Sequence, residues 1–191
     1  MLGLVYRLLF KMVADKGGPE AVARVRAQAG VDEARVYRMN EPYPDDEWQR
    51  IFAAACDVLD VAPGKAEKLF AECFFADAYA RFPKWFEMCK TARELLELQP
   101  VIHNGFATGL QAPAERHKVI DKFRVEAQDD RIVTHYRSPN KLCGFYVALV
   151  ERVLAHYGER AEITMLKSLK KGDDESEIAI RFLGKDTRHA R

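Results

Sequence analysis

Phe123-Arg124-Val125-Glu126-Ala127-Gln128-Asp129-Asp130-Arg131-Ile132-Val133-Thr134-His135-Tyr136 decides the fold. Phe123 to Ala127 alternates apolar with polar, Asp129-Asp130 turns, and Ile132 to Tyr136 alternates again, which predicts an antiparallel hairpin. Downstream, Lys141 to Tyr157 carries Leu142, Phe145, Leu149, Val153 and Leu154 at helical spacing. A second hairpin is expected from Ile163 to Leu169, a Lys170-Lys171-Gly172-Asp173-Asp174 turn, and Ser176 to Phe182. The C-terminal half therefore reads ββαββ.

Upstream the period changes from two to 3.6. Leu4, Leu8, Leu9 and Met12 share a helical face, Gly17-Gly18-Pro19 stops that helix, and Pro19 to Ala29 forms a second ended by Gly30. Asp45, after Tyr43-Pro44, is placed to cap a helix bearing Trp48, Ile51, Phe52, Ala55 and Leu59. Helices are also expected over 63–81, ending at Phe82-Pro83, over 84–90, and from Thr91 to His103. Residues 104–122 read as loop. The fold class is α+β: one domain over 1–183, with a helical subdomain (1–105), a mixed α/β subdomain (106–183) holding an antiparallel sheet, and a flexible tail (184–191).

A length of 191 residues suits one domain with a substantial core. Apolar residues at 48% and charged residues at 31% are ordinary for a soluble globular chain. A net charge of +1 argues against a dedicated nucleic-acid or membrane-surface binder. Every long apolar stretch is broken by Lys, Arg or Glu, and the apolar N-terminus lacks a basic leader and a cleavage site, so it reads as mature structure. Cys56, Cys73, Cys89 and Cys143 lie far apart without a CxxC pair, consistent with structural thiols in a reducing cytoplasm.

No nucleophile elbow, P-loop, Rossmann glycine pattern or HExxH occurs, and Asp45-Asp46 and Asp173-Asp174 sit in turns, so the chain is not expected to be an enzyme. His103 ends an apolar run. It is either a cation satisfying the carbonyls of a helix C-terminus or a neutral imidazole offered to a metal. Tyr136 and Ser138, two apart, share a strand face where hydroxyls could hold a dicarboxylate. Equally, Ser138-Pro139-Asn140 is turn chemistry leading into a helix.

Several short motifs occur together in a fixed order: Met1-x-Gly3, Tyr43-Pro44-Asp45, Phe82-Pro83-x-x-Phe86, Val101-Ile102-His103, and Tyr136-x-Ser138-x-Asn140 before Leu142-Cys143. With the paired hairpins they resemble the haem–nitric oxide/oxygen binding (H-NOX) family, of the bacterial stand-alone type, over residues 1–183. The resemblance implies haem b between the two halves and His103 as proximal ligand to the haem iron. It also implies that the Tyr-x-Ser-x-Arg motif of the family holds the haem propionates. Here Tyr136 and Ser138 match, while Asn140 stands where the arginine belongs. A neutral amide replaces a permanently charged fork, so a weaker grip is expected, with Lys141 or Arg137 as partial substitutes. A haem-distorting proline of the family would correspond to Pro113. The cysteine zinc site of some relatives maps to Cys143, Met165, Ser168 and Ser176, and one thiolate cannot close it, so no structural zinc is expected.

On the distal side the matching positions are Val5, Leu9, Phe74 and Phe145, all apolar. Without a hydrogen-bond donor the resemblance implies nitric oxide or carbon monoxide as ligand rather than dioxygen. Tyr146 lies one position away and would reverse that preference if it faced the pocket. The implied function is a haem-based sensor regulating a separate histidine kinase or cyclic-dinucleotide enzyme, with no nucleic-acid or membrane partner. In that reading ligand binding weakens or breaks the bond to His103, and its helix moves relative to the ββαββ half. The alternative is a haem-free descendant that binds another apolar ligand or a protein partner.

Overall fold

The computed structural model describes residues 1–108 and 122–185. Its helices are α1 (Gly3–Ala29), α2 (Asp45–Val58), α3 (Pro63–Arg81), α4 (Pro83–Met88), α5 (Ala92–Glu97), α6 (Gln99–Thr108) and α7 (Cys143–Tyr157). Its strands are β1 (Phe123–Ala127), β2 (Arg131–Tyr136), β3 (Glu159–Lys167) and β4 (Ser176–Lys185). The expected α+β order, helices first and then ββαββ, is the observed one.

The two N-terminal helices run on as one element, α1, broken at Gly18, whose φ of 76° and ψ of −178° no helix accommodates. Gly30, in the left-handed region, closes α1 by donating to the carbonyls of Ala27 and Arg26. α2 begins at Asp45, with Pro44 before it and no side-chain cap, so the capping role expected of Asp45 is corrected. Asp45, Asp46 and Glu47 instead favour the positive end of the helix dipole. α3 spans Pro63–Arg81 as expected, with proline in its first turn.

The single helix expected from Thr91 to His103 is two. Thr91 Oγ1 caps α5 by accepting from Glu94 N at 3.2 Å. α6 then starts at Gln99 and carries on past His103 to Thr108. His103 therefore lies within a helix and not at its C-terminus. α6 also crosses residue 105, and β4 extends through Lys185, so both boundaries drawn from the sequence fall inside elements.

The strands form one antiparallel sheet in the order β1-β2-β4-β3. In β2, Ile132, Thr134 and Tyr136 share one face and are buried, facing α7, where Thr134 Oγ1 meets Tyr146 Oη at 2.9 Å. A helical core around Tyr6, Leu9, Met12, Trp48, Ile51 and Phe70 continues through α7 to Ile178 and Ile180 of the sheet. No helix among the described residues is long and apolar enough to cross a membrane. All four cysteines are free thiols, and burial pushes those of Cys56, Cys73 and Cys89 up.

Candidate functional site

A cavity of about 810 Å³ lies between the helical half and the ββαββ half. Cofactor pockets span about 300–1,000 Å³, so this one is large enough for a molecule of cofactor size. Val5 and Leu8 of α1, Phe74 and Ala78 of α3 and Phe145 of α7 supply one apolar group of its lining. The Phe145 ring lies 4.9 Å from Phe70 and 5.4 Å from Phe74, centroid to centroid. Ile102 and His103 of α6, Phe123 of β1 and Tyr136 of β2 supply a second group.

His103 reaches the cavity because α6 continues through it. Its ring sits 4.5 Å from Phe123, which in turn lies 5.0 Å from Tyr136 and 5.5 Å from Tyr146. Burial, reinforced by the nearby positive charge of Lys122, pulls the His103 pKa from 6.5 to about 4. At neutral pH the imidazole is uncharged, the form that binds a metal. Gln99, one turn earlier on the same face, also lines the cavity, and its buried Oε1 has no partner among the described residues.

Consecutive helix positions diverge by about 100°, which separates Phe145 from Tyr146. Phe145 turns toward α3. Tyr146 turns toward Phe123, on the His103 side, and its hydroxyl is held by Thr134. Burial drives the Tyr146 phenol well above its ordinary value. Tyr146 thus lines the same cavity as Phe145, with its hydroxyl paired to Thr134.

At the mouth are Met1, Asp45, Lys122, Arg137 and Pro139. Asp45 Oδ1 accepts from the Met1 ammonium at 2.9 Å and from Asn140 Nδ2 at 2.6 Å. Burial opposes ionisation of Asp45, yet these two donors and Lys122 hold its carboxyl below the ordinary value. Tyr136 lines the cavity and its oxygen accepts from Leu142 N at 3.4 Å. Ser138 lies beyond the end of β2, is buried outside the lining, and accepts from Asn140 N at 3.4 Å through Oγ. Asn140 is likewise buried outside the lining, turned to Asp45, with Oδ1 unpartnered among the described residues.

Of the residues singled out from the sequence, His103, Tyr136, Val5, Phe74 and Phe145 come together around the cavity. Leu9 does not. It is fully buried in the helical core, one helix position away from Leu8, which does line the cavity. Pro113 lies outside the described residues. Cys143 Sγ approaches Ser168 Oγ at 3.7 Å, and Ser176 Oγ accepts from Leu169 N, so three of the four aligned zinc positions are held by one thiol and two hydroxyls. The sequence reading missed Phe123, Lys122 and the Met1 ammonium as parts of the site. The β1–β2 register sets Phe123 opposite Tyr136, and the packing of α6 on β1, between residues distant in sequence, brings it beside His103.

The arrangement offers a large, mostly apolar cavity with a neutral imidazole, which could serve a metal, and the charged side chains of Asp45, Lys122 and Arg137. Comparisons with known proteins bear on the fold and the family. The chain resembles the H-NOX protein from S. oneidensis in the Fe(II)NO ligation state, with a TM-score of 0.79 at 19% identity over 96% of this chain and 100% of that one. It resembles the Fe(II) unliganded H-NOX protein from K. algicida, with a TM-score of 0.75 at 21% identity over 98% of each chain. An oxygen-binding H-NOX domain related to soluble guanylate cyclases matches with a TM-score of 0.75 at 18% identity, over 97% of this chain and 96% of that one. At such identities the likeness is one of fold. A family model described as Haem-NO-binding matches residues 2–165, most of the sequence, and the chain therefore belongs to the Haem-NO-binding, or H-NOX, family.

Proposed function

We propose that the cavity holds haem b, with His103 as the protein ligand to iron, and that the chain senses nitric oxide or carbon monoxide and regulates a separate signalling protein. One observation carries this reading: a neutral histidine lies inside a large apolar cavity in a chain of the Haem-NO-binding family. Bound haem would supply a ferrous centre for a diatomic ligand. Val5, Phe74 and Phe145 offer that ligand no hydrogen-bond donor, which favours nitric oxide and carbon monoxide over dioxygen. Tyr136, with Lys122 and Arg137 at the mouth, would hold the propionates, and Pro113 is kept as the candidate haem-distorting residue.

His103 supplies the link to the rest of the molecule. It sits in α6 against Phe123 of β1, so a displacement of α6 changes the packing of helix against sheet. A ligand that biases two such arrangements changes the surface shown to a partner. The partner expected is a histidine kinase or a cyclic-dinucleotide enzyme in the cytoplasm.

Protein expressed with haem available should show a Soret band that His103→Gly abolishes while its circular dichroism stays native. A wild-type protein with no Soret band under any condition overturns the haem reading. Asn140 lies outside the cavity lining and is engaged by Asp45, which favours a second reading: a haem-free domain whose cavity takes another apolar ligand. In that case the folded protein stays colourless.

A further inference from the structure

We infer that His135, Glu175 and Glu177 form a site for a borderline divalent cation such as Zn²⁺ on the sheet face opposite α7. His135 alternates away from Thr134 and Tyr136. Its direct cross-strand partners are Arg124 in β1 and Glu177 in β4. Glu175 comes from the turn just before β4. One donor atom from each of His135, Glu175 and Glu177 lies within 4.8 Å of the other two. His135 Nδ1 is 3.2 Å from Glu175 Oε1 and 4.0 Å from Glu177 Oε1. A tetrahedral zinc ion with bonds of about 2.1 Å spaces its donors about 3.4 Å apart, and both distances from Nδ1 lie within about 0.6 Å of that spacing.

Two features set the cluster apart from an ordinary acidic surface. The His135 side chain is only 10% exposed, and its Nε2 is buried without a hydrogen-bond partner among the described residues. That nitrogen faces Glu126 Oε1 at 3.6 Å. A metal on Nδ1 fixes the tautomer with the proton on Nε2, where Glu126 is placed to receive it. This carboxylate–histidine–metal arrangement is the usual support of a metal-binding imidazole. A bound ion therefore gives the orphaned nitrogen a defined role.

The competing partners are cations. Lys167 Nζ donates to Glu177 Oε1 at 2.5 Å, Arg137 Nη2 to Glu175 Oε2 at 3.2 Å, and Arg124 pairs with Glu126. Lys167 and Arg137 are 46% and 65% exposed and can swing into solvent, whereas the carboxylates they hold are 14–18% exposed and stay. The ion would tie β2 to the start of β4, one residue from Tyr136 at the cavity. This site is separate from the cysteine-aligned positions, because Ser176 points to the opposite, buried face of β4.

Calorimetric titration of the whole purified protein, as isolated and then stripped with chelator, tests the site with ZnCl₂. One equivalent is expected to bind. His135→Ala and Glu175→Gln should each weaken it at least tenfold, while Lys167→Met should tighten it by removing a competitor. His103→Gly should leave it unchanged, which separates this result from the fate of the haem. Absence of binding, binding equally tight in His135→Ala, or no gain in Lys167→Met overturns the assignment.

Discussion

Gly144→Ala is the sharpest test of how the two halves of the molecule are joined. Gly144 is the second residue of α7, and a Cβ there would lie 2.2 Å from Glu67 Oε2, 2.8 Å from its Cδ and 3.0 Å from Oε1. Glu67, on α3, is 6% exposed and holds Lys170 Nζ at 2.5 Å, at the sheet end of the molecule. It lies against the first turn of α7, where a negative charge favours the helix dipole and where no side-chain cap exists. The new methyl must push the carboxylate by more than an ångström, which breaks the ion pair or buries it without its partner. A fully buried pair broken in this way costs about 3–5 kcal/mol. Because Lys170 is 44% exposed, we expect about half of that, less about 0.5–1 kcal/mol of helix propensity gained from alanine. The net loss is then about 0.5–2 kcal/mol, read as a fall of about 1–8 °C in Tm for a chain of this size. The second arm reverses the sign. In a Glu67→Ala background the methyl meets nothing charged, and Gly144→Ala should become neutral or stabilising by about 0.5 kcal/mol. A Gly144→Ala cost that is the same with and without Glu67 would refute the contact as the cause.

Three further outcomes follow from the same geometry. The His103 pKa is lowered from 6.5 to about 4, so the unfolded chain binds the extra proton between those values; stability of the haem-free protein is complete above pH 6.5 and is lost as pH falls toward 4. At about 1.4 kcal/mol per pH unit this amounts to about 3 kcal/mol at most, and urea midpoints measured from pH 7 to 4 should lose that slope in His103→Leu. Tyr146→Phe strands buried Thr134 Oγ1 and should cost about 1–2 kcal/mol without changing gas preference, whereas Phe145→Tyr should give the haem-loaded ferrous protein a stable oxygen spectrum in air. Gly3→Ala would place a Cβ 2.1 Å from the Arg38 carbonyl oxygen, a backbone atom that cannot swing aside, and should lower Tm more than Gly144→Ala does.

Much of the fold was legible because the chain switches cleanly between two periods. Pro63 and Phe82-Pro83 bracket α3 at its observed ends, since proline is tolerated in a first turn and not in an interior. The hairpin from Phe123 to Tyr136 follows from alternation alone. The end of the His103 helix was less readable, because Gln99-Pro100 places proline in the first turn of a new helix, and this looks locally like the last turn of the old one. Asn104-Gly105 then carries a turn composition inside α6, where packing of the apolar face against β1 decides the outcome. Leu8 and Leu9 show the same limit at the level of a side chain. Both are apolar on one helix, and only its orientation against α2 and α3 puts one at the cavity and the other in the core.

The Tyr136-x-Ser138-x-Asn140 motif illustrates why a site is harder to read than a fold. Sequence spacing puts Tyr136 and Ser138 on one strand face, but β2 ends at Tyr136, and the turn that follows rotates Ser138 and Asn140 out of the cavity lining. Asn140 then meets Asp45, 95 residues earlier in the chain, which also neutralises the Met1 ammonium. Asparagine fills the place with a neutral donor and leaves the Asp45 charge to the terminal ammonium. Among the described residues that line the cavity, Lys122 and Arg137 carry the cationic side chains. If the cavity holds haem as proposed, Lys122→Met should weaken its retention more than Asn140→Ala.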